Sequence, residues 1–190
     1  MRKIISSLAA LITLLVMGCG PALSLHPLYN EEDVIFNPSL VGSWGEENDG
    51  WNFQKAKGNV YSVTFLLKWG DMGGGSDRSD TLNLEGRLIQ LGSYMFMDVT
   101  SRESDIKDFL AVPVHVFLRL SLEGDSLGIA FMDDSWLEDI IEQNKEPIKH
   151  ELLNGSDILL TASPKELQQL VLKYADDKKA FDIEYCHRPN

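Results

Sequence analysis

Val112–Glu123 reads VPVHVFLRLSLE. Val112, Val114, Val116, Leu118, Leu120 and Leu122 take every second position, with Pro113, His115, Phe117, Arg119, Ser121 and Glu123 between them. Successive side chains of a strand point to opposite faces, so this period of two predicts a long β-strand with one wholly apolar side. Glu123-Gly124-Asp125-Ser126 reads as a turn, and Leu127, Ile129 and Phe131 alternate in the strand that returns from it.

The same period holds upstream. Residues 39–46 begin the folded part, and Trp51 and Phe53 alternate with polar residues before a Lys57-Gly58-Asn59 turn. In Val60–Trp69, Tyr61, Val63, Phe65, Leu67 and Trp69 share one face, with Ser62, Thr64 and Lys68 on the other. A glycine-rich loop, Gly70–Ser79, leads to a less regular strand over Asp80–Leu91, where Gly86 is expected to mark a bulge. Gly92-Ser93 turns the chain into Tyr94–Val99, and a polar connection, Thr100–Leu110, precedes the valine row.

Downstream the period changes. Asp133-Asp134-Ser135 supplies an N-cap for a helix to about Asn144, with Trp136, Leu137, Ile140 and Ile141 as its apolar stripe. His150–Leu153 and Ile158–Thr161, joined at Asn154-Gly155, read as a short hairpin. Ser163-Pro164-Lys165-Glu166 is a capping box with proline at the first helical position, and Leu167, Leu170, Val171 and Tyr174 continue the buried face. A last turn near Asp177–Phe181 leads to an extended end anchored by Tyr185. The fold class is mainly β with late α-helices. Its expected form is an antiparallel up-and-down meander that closes into a barrel or half-barrel, because open edges invite aggregation, with two helices toward the C-terminus. A flat sandwich is the alternative.

Met1–Cys19 has the layout of a secretory signal: Arg2 and Lys3, an apolar run over Ile4–Met17, then Gly18 before Cys19. The run is shorter than the about 20 apolar residues of a membrane-spanning helix. Val16-Met17-Gly18-Cys19 resembles the lipobox of bacterial lipoproteins, in which the cut precedes a cysteine that becomes lipidated. The resemblance implies a signal peptide over residues 1–18 and a membrane anchor at Cys19. Gly20 stands where retained enterobacterial lipoproteins carry Asp, which implies an envelope protein at the outer membrane, facing the periplasm. A cut near Ala22 is the other reading, and it would discard Cys19. Residues 19–38, rich in proline, read as a tether and lead-in that Leu28, Tyr29, Val34 and Phe36 would pin to a single domain over residues 39–190.

Losing Arg2 and Lys3 takes the formal charge from −12 to −14. So acidic a domain, with no basic stripe, repels phosphate backbones, and no nucleic-acid partner is expected. With Cys19 acylated, Cys186 is the only thiol left, no internal disulfide can form, and the core alone must hold the domain.

Pro38-Ser39-Leu40-Val41-Gly42-Ser43-Trp44 resembles the start of lipocalin-type barrels, a short turn followed by Gly-x-Trp on the first strand. The resemblance implies a Trp that plugs the closed end of a barrel and an Arg that covers it, and no residue of the sequence is matched to that Arg. The whole chain, with its Pro27-Leu28-Tyr29 lead-in, also resembles a group of uncharacterised bacterial lipoproteins, which brings no activity with it.

No motif identifies a reaction, a cofactor or a metal. Gly124-Asp125-Ser126-Leu127 spells the nucleophile motif of GDSL-type esterases, but it sits mid-chain in a hairpin turn without the family's Asp and His three apart. Asp71, Asp77 and Asp80 lack the spacing of a calcium loop, and His26, His115, His150 and His187 form no metal-spaced pair. The aromatic faces remain: Trp51, Phe53, Tyr61, Phe65, Trp69, Tyr94 and Phe96 either fill a barrel or line a pocket for a small apolar ligand, with His115 a candidate hydrogen-bonding group. A non-enzymatic binding lipoprotein is therefore expected. An envelope interaction protein, presenting an acidic surface and helices bearing Trp136 and Tyr174, is the alternative.

Overall fold

A computed structural model describes residues 20–46, 49–69, 78–101, 113–153 and 157–189, with the backbone alone at 49, 67–69 and 78–80. Cys19 and most of the Gly70–Ser79 and Thr100–Leu110 segments lie outside the described residues. Seven strands follow one another as an antiparallel meander: β3 (Gly42–Glu46), β4 (Asp49–Lys55), β5 (Val60–Trp69), β6 (Arg78–Leu91), β7 (Tyr94–Ser101), β8 (His115–Glu123) and β9 (Ser126–Phe131). Five short strands complete a twelve-stranded mixed sheet: β1 (Leu23–Ser24), β2 (Val34–Ile35), β10 (His150–Leu153), β11 (Asp157–Leu160) and β12 (Glu184–His187). Helices α1 (Asp134–Glu142) and α2 (Pro164–Lys173) come late in the chain, as expected. The sheet curves into a half-barrel and does not close: β3 ends the strand order on one side, and beyond β8 the other side forks into β1-β11-β10 and β9-β12.

The alternation read in the sequence becomes two cores. Trp44, Phe53, Val63, Met97, Leu118 and Leu127 point into the half-barrel. The opposite parity of β6–β9 is buried as well: Ile89, Phe96, Phe117 and Ala130 pack beneath Trp136 and Leu137 of α1 and Leu167 and Leu170 of α2. Phe117, on the side of β8 expected to be the less apolar, is as fully buried as Leu118. On β3–β5 no such layer forms, and polar side chains bond one another there: Asn52 Nδ2 donates to Ser43 Oγ at 2.8 Å and Gln54 Nε2 to Asn52 Oδ1 at 2.9 Å. The caps match the expectation, since Asp133 accepts from the Trp136 N–H at 2.7 Å and Ser163 and Glu166 close a capping box.

The lead-in is built into this sheet. β9 pairs with Leu118–Glu123 of β8, and where it ends β1 takes over at His115 and Val116. On its other side β1 runs parallel to β11, which makes the sheet mixed. In the same way β2 pairs with Leu88 and Ile89 of β6, just beyond the last residue paired to β5. Asp98 fastens the strap between them. Its carboxylate, 2% exposed, accepts the Leu28 N–H at 2.7 Å through Oδ2, and Oδ1 lies 2.7 Å from His115 Nδ1. A carboxylate only accepts, so Nδ1 carries the hydrogen.

Three details depart from the sequence reading. Gly86 makes no bulge; it pairs in register with Tyr61 and Val99. A Cβ there would stand 2.8 Å from Met97 Sδ and 3.0 Å from Val63 Cγ2, so the glycine clears space in the interior. β8 starts at His115 rather than Val112, since Pro113 has no N–H to give a ladder. Tyr185 is 55% exposed and lies across Gly128 on the outside, while Phe181, fully buried against Phe96, anchors the C-terminal segment.

Replacing Asp98 by Ala strips acceptors from the Leu28 N–H and the His115 ring in a buried place. The expected cost is about 1–3 kcal/mol, read from urea denaturation. Faster amide exchange across residues 22–35 should accompany it, and unchanged exchange there would refute the fastening role.

Candidate functional site

Two of the strands with an open edge, β3 and β12, lie side by side without a ladder between them. At one end a side chain bridges them. Arg188 Nη2 donates to Ser39 O at 2.8 Å and Nη1 to Val41 O at 3.2 Å, and the guanidinium lies over the Trp44 ring, 4.0 Å from its centroid. Trp44 is buried and donates Nε1–H to Leu40 O at 2.9 Å. Gly42 makes room for this arrangement. Its φ is +122°, and a Cβ would stand 2.6 Å from Arg188 Nη1. The Gly-x-Trp spacing thus has a physical content here: the glycine admits the guanidinium that the indole two residues later receives.

At the other end the seam opens into a cleft of about 700 Å³. Trp51 and Phe65 form one wall, stacked at 4.1 Å and 17°, and Phe131 stands 5.8 Å from Trp51. Ile129 and Cys186 also line it, and Gly45 and Gly50, paired across β3 and β4, contribute no side chain to their wall. Asp133, Asp182, Glu184 and Lys179 line the rim, three acidic residues to one basic, and the Asp133 carboxylate also caps α1. Gly20 and Pro21, the first described residues, complete the rim. Cys186 donates its S–H to Leu127 O at 3.3 Å, and burial pushes its pKa up, which favours the protonated thiol.

The residues singled out in the sequence separate into three groups. Trp51 and Phe65 line the cleft. Phe53 and Tyr61 are fully buried deeper in the half-barrel, where the Tyr61 hydroxyl donates to Asn37 O and accepts from its N–H, and Phe36 stacks on the ring at 5.0 Å. Tyr94, Phe96 and His115 lie on the outer face. The Tyr94 hydroxyl bonds the Asp176 carboxylate beneath the Arg119 guanidinium, Phe96 packs on Phe181, and His115 is held by Asp98. The side chain of Trp69 lies outside the described residues. Trp136 and Tyr174 pack against each other at 4.8 Å. Ser126 begins β9 directly after the Gly124 turn, whose φ is +60°.

Sequence reasoning assigned Phe131, Cys186 and Arg188 to no site. Phe131 shares the parity of Leu127 and Ile129, which was a usable signal. Arg188 had none, since only folding brings it to Trp44. Among the described residues no His, Cys, Asp and Glu side chains gather as a metal site, and no helix is long and apolar enough to cross a membrane. Compared with protein families, with curated proteins and with solved structures, the chain finds no match.

Gly42→Ala should destabilise by about 1–3 kcal/mol, from the positive φ and the displaced guanidinium together. The loss should shrink when Arg188 is already Ala; equal losses in the two backgrounds would exclude the guanidinium as the neighbour that matters. Alkylation of Cys186 at pH 8 should run slower in the native protein than in urea and accelerate as pH rises further, because its folded pKa lies above the unfolded one. By the same linkage this thiol contributes stability at neutral pH that is lost in alkali.

Proposed function

We propose that this chain is an envelope-anchored bacterial lipoprotein that binds a small apolar or amphipathic molecule and catalyses no reaction. The observation that carries the reading is the cleft between β3 and β12, walled by Trp51, Phe65 and Phe131. Its volume falls within the about 300–1,000 Å³ of small-molecule sites. The resemblance to lipocalins gains support from Arg188, since a covering arginine over the Gly-x-Trp indole belongs to that family's pattern. The anchor is argued from Val16-Met17-Gly18-Cys19, with outer-membrane placement from Gly20. Gly20, the first described residue, is exposed, which suits a lipid on the residue before it.

Binding would draw on the hydrophobic effect. Each methylene withdrawn from water contributes about 0.8 kcal/mol, so two more carbons tighten binding by roughly tenfold. Affinity for a series of neutral or cationic alkyl probes, read by native mass spectrometry and Trp fluorescence, should climb with chain length until the cleft is filled. Phe131→Ser, at a side chain 37% exposed and therefore tolerant of change, should weaken it at least tenfold. A flat dependence on chain length, or a Phe131→Ser protein that binds as well, would refute the proposal.

A further inference from the structure

We infer that the cleft is the docking place of one acyl chain carried by Cys19 of this same polypeptide. The inference rests on the proposed lipidation of Cys19 and names the occupant of the site proposed above.

Position comes first. The chain enters the fold at the cleft rim and is fixed there. The Asp134 N–H donates to Gly20 O at 3.1 Å, Pro21 bridges to Asp133, and the Ala22 N–H donates to Met132 O at 2.8 Å. The Cα of Cys19 can lie no more than about 3.8 Å from that of Gly20. A lipid on its sulfur or amino group therefore starts at the mouth of the cleft that Trp51, Phe65 and Phe131 line.

Charge decides between sources. A free fatty acid or an anionic phospholipid would bring its own negative charge to a rim where Asp133, Asp182 and Glu184 outnumber Lys179. A chain joined to Cys19 through a thioether or an amide brings none. Tethering adds to the preference, because a ligand held by a short flexible link acts at an effective concentration in the millimolar range. Lipoproteins of the resembled type carry two or three chains on the cysteine, and two suffice for stable anchoring. One chain docked in the cleft and the others in the bilayer would hold the open end of the half-barrel against the membrane surface.

The experiment uses the full chain, produced in cells fed a fatty acid bearing a diazirine and an alkyne, irradiated in intact envelopes and digested for mass spectrometry. The expected result is a crosslink within one polypeptide between the Cys19 lipid and a peptide containing Trp51, Phe65 or Phe131. In Phe131→Asp the yield should fall several-fold with Cys19 labelling unchanged. Labelled Cys19 crosslinked only to bilayer lipid, or only to a second copy at doubled mass, would overturn the inference while leaving the lipoprotein reading intact. A free phospholipid crosslinked to the cleft peptides would overturn it in favour of membrane lipid. Absence of label on Cys19 would remove the anchor reading itself.

Discussion

Main-chain N–H and C=O groups along a sheet edge have to find partners, and the shape of this protein follows from how its edges find them. The strands of the meander differ in length, which leaves β8 unpaired beyond β9 and β6 unpaired beyond β5. The lead-in fills both places with two residues each, as β1 and β2, and Asp98 ties the strap between them to the sheet. A segment rich in proline is thereby drawn into the fold without needing a strand of its own length.

The facing edges of β3 and β12 are settled differently. No ladder joins them. The Arg188 guanidinium supplies the missing donors to Ser39 O and Val41 O at one end and covers Trp44 there. A side chain bridges one point where a ladder would seal a whole edge. The seam therefore stays open toward the other end, and the cleft is what that leaves. Its lining has the parity of the core: Trp51 is still buried there, whereas Phe131 is 37% exposed.

Helices α1 and α2 lie on the outer face of β6–β9, so those strands are buried on both sides, while β3–β5 are buried on one. The thick side is the scaffold. The thin side, with Gly45 and Gly50 in its wall, borders the cleft together with the C-terminal strand. The rim beside it is acidic, in keeping with the charge of the whole domain.

The local chemistry of the chain determined much of this by itself. A period of two is a property of any strand, so Val60–Trp69 and Val116–Leu122 announced their state without reference to the rest of the molecule. Asp133 and Ser163 did the same for the helix starts, because a cap needs only a side chain and the next turn. Which face of a strand looks inward is another matter. Tyr94-Met95-Phe96-Met97-Asp98-Val99 is apolar on both parities, and only the helices packed outside place Met95, Met97 and Val99 within and Tyr94 and Phe96 without. The site was half legible for this reason: Trp51 and Phe65 stand on cleanly alternating strands, whereas Tyr94, Phe96 and His115 belong to strands buried twice. Arg188 on Trp44, β1 between β8 and β11, and the open seam between β3 and β12 are contacts between distant parts of the chain. Nothing local encodes such contacts, because each depends on where the accumulated curvature of the sheet brings its two edges.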